Sequence, residues 1–131
     1  MTPRLDLVGL IVKDMAASLA FYRRLGFDLA PELDGESHVE SRAGGLRIAW
    51  DTVEVIQSFS SYEKPAAGHR ISLAFLCESP HEVDQLFNEL TASGYPSHVE
   101  PFDAFWGQRY ATVLDPDENP VDLFAPLPSS G

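Results

Sequence analysis

The chain has 131 residues, the size of one domain with a real core. Hydrophobic residues make up 44% and charged residues 22%, a globular rather than a disordered composition, and no apolar run reaches the ~18 residues of a membrane helix. Twenty acidic residues against 9 basic ones give a formal charge of −11, which argues against nucleic acid as a partner, since phosphate binding needs clustered Lys and Arg. The same charge would attract a cationic small ligand, or serve solubility alone. Met1-Thr2-Pro3-Arg4 leads into no signal-peptide apolar region, and the lone Cys77 permits no internal disulfide; both fit a cytoplasmic protein.

One pattern occurs twice along the chain. Leu5 to Val12 is apolar on both faces and reads as a buried strand. Asp14 is the candidate N-cap of a helix from Met15 to Leu25, with Leu19, Phe21, Tyr22 and Leu25 on its apolar stripe and Gly26 as its left-handed C-cap. Strands are predicted at Phe27 to Ala30, Ser37 to Arg42 and Leu46 to Trp50, separated by the turn signals Asp34-Gly35 and Gly44-Gly45. The less regular stretch from Asp51 to Gly68 reads as a link between modules and a candidate flap. Arg70 to Cys77 then repeats the opening strand, with Cys77 as a small core residue. Ser79-Pro80 supplies an N-cap and a proline at the first helical position, and Val83, Leu86, Phe87 and Leu90 form the buried stripe before Gly94. Strands at Tyr95 to Glu100, Arg109 to Leu114 and Val121 to Phe124 follow, the last two joined by the turn Asp115-Pro116-Asp117-Glu118-Asn119-Pro120. The tail from Pro126 to Gly131 is expected to fray. Each module thus reads βαβββ, over about 4–51 and 69–126 with a linker at about 52–68, in one α+β domain.

Val12-Lys13-Asp14 before a helix containing Phe21-Tyr22 and closed by Leu25-Gly26-Phe27 resembles the opening of the glyoxalase / bleomycin-resistance / extradiol-dioxygenase proteins, the vicinal oxygen chelate superfamily. Asp115-Pro116-Asp117-Glu118-Asn119-Pro120-Val121-Asp122-Leu123 resembles the ending of its second module, with Glu118 where the family usually has Gly. The resemblance covers nearly the whole chain. It implies an eight-stranded, U-shaped sheet around a cleft, commonly in a homodimer. It also implies metal-ligand positions at Leu7, Ser72 and Asp122, where metalloenzymes of the family carry His, His and Glu. A metal site needs about three donors; leucine has none, so no metal and no cofactor are expected.

The segment from Phe102 to Tyr110 holds Phe102, Phe105, Trp106 and Tyr110, and Phe105-Trp106-Gly107 resembles the aromatic segment of bleomycin- and mitomycin-type resistance proteins. Aromatic faces bind planar conjugated ligands and stack on cations. These four side chains are ligand candidates, the competing reading being that Phe102 and Phe105 are core and only Trp106 is partly exposed. Asp122 is either a ligand acceptor or a carboxylate satisfied by Arg109 or a hydroxyl; Arg109 either meets the ligand or makes an ion pair across the sheet. Trp50, Phe59 and Tyr62 are secondary candidates with a core or surface-loop alternative. His38 and His98, both in Ser-His-Val-Glu, read as exposed strand residues rather than a metal pair. His81 reads as solvated, and His69 is the one alternative metal donor.

The sequence therefore points to a binding protein of the bleomycin-resistance type, sequestering a planar aromatic-rich compound, an antibiotic among the candidates, without chemistry. A lyase, isomerase or dioxygenase of the same superfamily with a shifted or absent metal site is the alternative, and a structural or regulatory dimer the third reading. Fold alone does not choose among them.

Overall fold

The computed structural model describes residues 5–59 and 72–128, and the chain divides into two units, Met1–Lys64 and Pro65–Gly131. His69, Tyr62 and the other linker residues from Ser60 to Arg70 singled out in the sequence lie outside the described residues.

In the first unit, β1 (Leu7–Val12) runs into α1 (Met15–Arg24). Asp14 caps α1 by accepting the Ala17 amide at 3.0 Å, and Arg23 and Arg24 sit in its last turn, where cations favour the helix dipole. Gly26, at φ 101°, turns the chain out of the helix as expected of a C-cap. Beyond it come β2 (His38–Ala43), β3 (Leu46–Thr52) and α2 (Val53–Gln57). The sheet order is β1-β3-β2, with β1 parallel and β2 antiparallel to β3. Alternate residues of β3 face α1: Ile48 and Trp50 are buried, and Trp50 meets Tyr22 and Phe27 edge-on at ring centroid distances of 5.5 Å each. Each such fully buried side chain stabilises the unit by about 1.5–3 kcal/mol.

Two expectations are corrected here. Phe27 to Ala30 is not a strand. Its side chains Phe27 and Leu29 go into the core, while the Arg23 guanidinium takes the carbonyls of Leu29 (2.7 Å) and Ala30 (3.0 Å) and pairs with Asp34 at 2.8 Å. Carbonyls held by an arginine are not offered to a sheet, and a short 3-10 helix, Pro31–Gly35, follows. The start of the presumed linker is a helix instead, α2, capped by Thr52, whose hydroxyl oxygen accepts the Val55 amide at 3.2 Å.

The second unit keeps the full βαβββ order: β4 (Leu73–Leu76), α3 (Pro80–Ala92), β5 (Ser97–Ala104), β6 (Gln108–Leu114) and β7 (Pro120–Pro126), in sheet order β4-β7-β6-β5. Ser79 caps α3, accepting the Glu82 amide at 3.1 Å, and Pro80 occupies the first turn. Val83, Phe87 and Leu90 of α3 are buried, as are Ala111, Val113, Val121, Leu123 and Ala125 of β6 and β7. The fold class is thus α+β, with seven strands among the described residues where the resemblance implied eight.

Candidate functional site

The two faces of the second sheet differ in kind. Arg109 of β6 reaches α3, where Asp84 accepts its Nε at 2.9 Å and its Nη2 at 3.1 Å; its Nη1 donates at 3.0 Å to Asp103, its cross-strand partner on β5. Residues 109, 111 and 113 therefore face the helix, and Arg109 is a clamp between sheet and helix. Strand alternation sends Gln108, Tyr110 and Thr112 to the other face.

On that face Asp122 of β7 lies directly opposite Thr112. Its carboxylate accepts the Thr112 hydroxyl at 2.8 Å and the Tyr110 hydroxyl in a short hydrogen bond. Burial first, and the Asp122 carboxylate second, push the Tyr110 phenol up to about 12, so it is a fixed donor at neutral pH. Of the two readings of Asp122, hydroxyl partners are what the fold supplies.

Phe102 of β5 lies opposite Tyr110. The β5–β6 turn, Phe105-Trp106-Gly107, folds Trp106 back over the same face: its ring centroid is 5.4 Å from Tyr110, 6.1 Å from Phe102 and 5.0 Å from Phe105. Gly107 sits at φ 89°, a conformation that disfavours any side chain, and its carbonyl accepts the Leu127 amide at 2.9 Å. Trp106 Nε1 donates to Gln108 Oε1 at 2.8 Å. The cluster is held in place yet open: Phe102 is 38%, Trp106 48% and Phe105 97% exposed. Neither Phe is core.

The other candidates are placed elsewhere. Trp50 is wholly buried in the first unit's core and presents no ring face to solvent; Phe59 is 74% exposed, just beyond α2. Cys77 is buried after β4, with burial pushing its thiol up to about 11, which leaves it protonated at neutral pH. His81 and His98 are exposed. Sequence reasoning missed one arrangement on the outward face of the first sheet. His38 there bridges Asp51 (Nδ1, 2.5 Å) and Glu40 (Nε2, 2.8 Å), and Arg47 bridges Glu40 and Asp6. The two-residue turn Gly44-Gly45, which sets His38 opposite Asp51, was the available signal.

The three positions at which the resemblance implies metal ligands do not fit a metal. Leu7 is a hydrocarbon lying opposite Arg47, Ser72 is an exposed hydroxyl, and both Asp122 oxygens already accept protein hydroxyls. Among the described residues no group of three or more His, Cys, Asp or Glu side chains is arranged to hold an ion.

An α+β chain whose second unit runs β4-β7-β6-β5 around an outward aromatic and carboxylate face defines a class that comparison with known proteins names. The glyoxalase/bleomycin resistance protein/dioxygenase superfamily model matches residues 4–123, and the chain belongs to that superfamily. It is 30% identical over 125 residues to the uncharacterized protein YwkD of Bacillus subtilis, covering 89% of this chain and 92% of that one. Solved structures share the fold at lower identity. A hypothetical protein from S. aureus is 22% identical with a TM-score of 0.79, over 95% of this chain and 94% of that one. A lactoylglutathione lyase from Agrobacterium tumefaciens is 20% identical with a TM-score of 0.67, over 95% of this chain and 94% of that one. Among the described residues no helix is long and apolar enough to cross a membrane.

Proposed function

We propose that this chain is a small-molecule binding protein that takes up a planar, aromatic-rich compound, antibiotics among the candidates, against the β5–β6 hairpin. The observation that carries the reading is the exposure of Phe102, Phe105 and Trp106 together on one hairpin beside Tyr110. Three exposed aromatic rings on one hairpin leave contiguous apolar area in water, which proteins rarely do without use. Two hydrogen bonds, Trp106 to Gln108 and Tyr110 to Asp122, fix ring orientation in advance, so little side-chain entropy is lost on binding. Asp122, the carboxylate beside these rings, accepts hydrogen bonds from two hydroxyls. Protection of a cell would come from mass-action sequestration.

The test is a titration of the protein with an uncharged planar tricyclic arene, read from the Trp106 indole N–H resonance. Saturable displacement of that resonance, with the Trp50 indole unmoved, supports the reading. A Trp106→Ala variant should bind roughly 10- to 100-fold more weakly, the scale of an aromatic anchor. Displacement of neither indole by any planar probe would set the reading aside.

The protein is also proposed to be a homodimer, as its superfamily commonly is. Exposed strand edges are a liability unless paired, and Leu76 on the edge strand β4 is 68% exposed. Light scattering at micromolar concentration should return twice the chain mass of 14.4 kDa; a single chain mass would refute it.

A further inference from the structure

The three rings Phe102, Trp106 and Tyr110 stand nearly perpendicular to one another. Interplanar angles are 86° for Phe102 and Trp106, 81° for Trp106 and Tyr110, and 70° for Phe102 and Tyr110, with centroids 6.1, 5.4 and 6.2 Å apart. Plates so inclined can wall three sides of a corner, and in a corner of that size a compact group would lie about 4 Å from each ring face, inside the range of cation–π attraction. A flat polycycle can lie on one of these rings, but it cannot fill a corner. A compact, roughly spherical group can.

The charge around the corner has one sign. Asp122 accepts a short hydrogen bond from the Tyr110 hydroxyl, which pushes electron density into the Tyr110 ring and sets a carboxylate at its foot. Arg109, the nearest cation in sequence, points to the opposite face of the sheet and is neutralised by Asp84 and Asp103. The whole chain carries −11. An anionic group would meet ring faces and the Asp122 carboxylate, with Arg109 turned to the other face of the sheet. An uncharged apolar group would gain only dispersion and desolvation, and an alkylated ammonium gains those and the ring quadrupoles too.

We propose that Phe102, Trp106 and Tyr110 form a subsite for an alkylated ammonium group, with Asp122 as its counter-charge. This deepens the binding reading, on which it rests, by naming a cationic amine as part of the ligand. The corner is formed before the ligand arrives: Gln108 holds the Trp106 indole, Asp122 holds the Tyr110 hydroxyl, and Gly107 holds the turn. Binding then costs little reorganisation, as a weak subsite requires.

The experiment compares choline with dimethylbutanol, its uncharged carbon isostere, on the intact protein. Both carry the same shape, so only charge separates them. The Trp106 indole N–H resonance is followed up to about 0.1 M of each probe, the range in which a single small subsite saturates, with sodium chloride as the ionic-strength control and the Trp50 resonance as the internal reference. Choline is expected to bind roughly 3- to 30-fold more tightly than its isostere, the ratio that a cation–π contribution gives. Asp122→Asn should narrow that ratio, and Phe102→Leu should lower choline affinity while leaving the folded spectrum in place. Equal affinity for the two probes, or no saturable response to choline, overturns the subsite. The uncharged arene titration separates the two proposals. Arene binding with no preference for choline removes only the ammonium subsite. Choline preference without arene binding removes the planar-ligand reading and leaves the cation corner standing.

Discussion

Tyr110 donates a hydrogen bond from its hydroxyl to Asp122, one strand away and two residues out of register with the Thr112 that lies opposite it. The carboxylate therefore ties together two side chains of β6 on the face that α3 does not cover. The resemblance implies a metal-ligand position here, and in this fold its oxygens accept the tyrosine and threonine hydroxyls.

The first prediction concerns that phenol. Tyr110 has a folded pKa raised to about 12 by burial and by Asp122. A raised folded pKa means stability fully present below the unfolded value of about 10 and lost as pH rises through 12. Tyrosinate absorbance of the parent protein should contain a component near pH 12 that Tyr110→Phe removes. Asp122→Asn should move that component to lower pH; a titration curve unchanged by Tyr110→Phe in that range would count against the hydrogen bond.

The two tryptophans should part on stability. Trp50 is wholly buried among Tyr22 and Phe27, and Trp106 is half in water. Trp50→Ala should cost about 3–5 kcal/mol in a urea denaturation curve, enough to unfold many domains. Trp106→Ala should cost under about 1 kcal/mol, since it opens no cavity. A reversed order would mean that the hairpin ring is structural.

These outcomes also mark what the sequence could and could not tell. Helix ends were legible because their chemistry is local: Asp14, Ser79-Pro80 and Gly26 act on amides and carbonyls within a few residues. Phe27 to Ala30 reads as a strand by pattern, but Arg23, four to seven residues upstream, takes two of its carbonyls. No periodicity encodes that. Val53 to Gln57 is rich in β-branched residues and gives no strong helical stripe, so only the Thr52 cap announces α2. The aromatic turn was visible in composition. That Phe102 faces Tyr110, and that Arg109 faces away, follows from the β5–β6 register, which the sequence leaves open because β5 carries register shifts between Ser97 and Phe102.

The His38 bridge makes stability pH-dependent in a definite direction. The hydrogen bond to Asp51, then that to Glu40, raises the His38 pKa above its ordinary 6.5. The bridge therefore contributes fully below pH 6.5 and is lost as pH rises through the folded value. The side chain is 48% exposed, so solvent screening keeps the effect small. Denaturation midpoints of the parent protein and His38→Gln should converge as pH is raised past neutrality and separate below it. Parallel curves across that range would mean the imidazole is not held as a cation.

Elemental analysis addresses the inherited metal positions. Leu7 offers no donor, Ser72 only an exposed hydroxyl, and Asp122 is committed to Tyr110 and Thr112. One carboxylate does not hold a divalent ion against water. Protein purified without added metal should carry no stoichiometric zinc, iron, manganese or nickel. About one ion per chain would show that donors outside these three positions assemble a site, and would move the reading toward an enzyme.

Glu118 occupies the left-handed region at φ 66°, where the resemblance leads one to expect glycine. A residue with a Cβ bears about 1–2 kcal/mol there, while glycine loses about 0.5–1 kcal/mol more backbone entropy on folding. The difference favours glycine, so Glu118→Gly should stabilise the fold by up to about 1 kcal/mol. Around this position the turn is held by Asp115, whose carboxylate accepts the amides of Asp117 (2.9 Å) and Asn119 (2.8 Å) and the Asn119 side chain. None of these three bonds uses the Glu118 side chain, and removing it lessens the chain's excess of negative charge. Thermal unfolding should rise by about 2–5 °C for a gain of that size, with ligand affinity unchanged because the turn lies at the opposite end of β7 from Pro126. A loss of stability would show that Glu118 makes a compensating contact, and would turn its departure from glycine into a requirement of this turn.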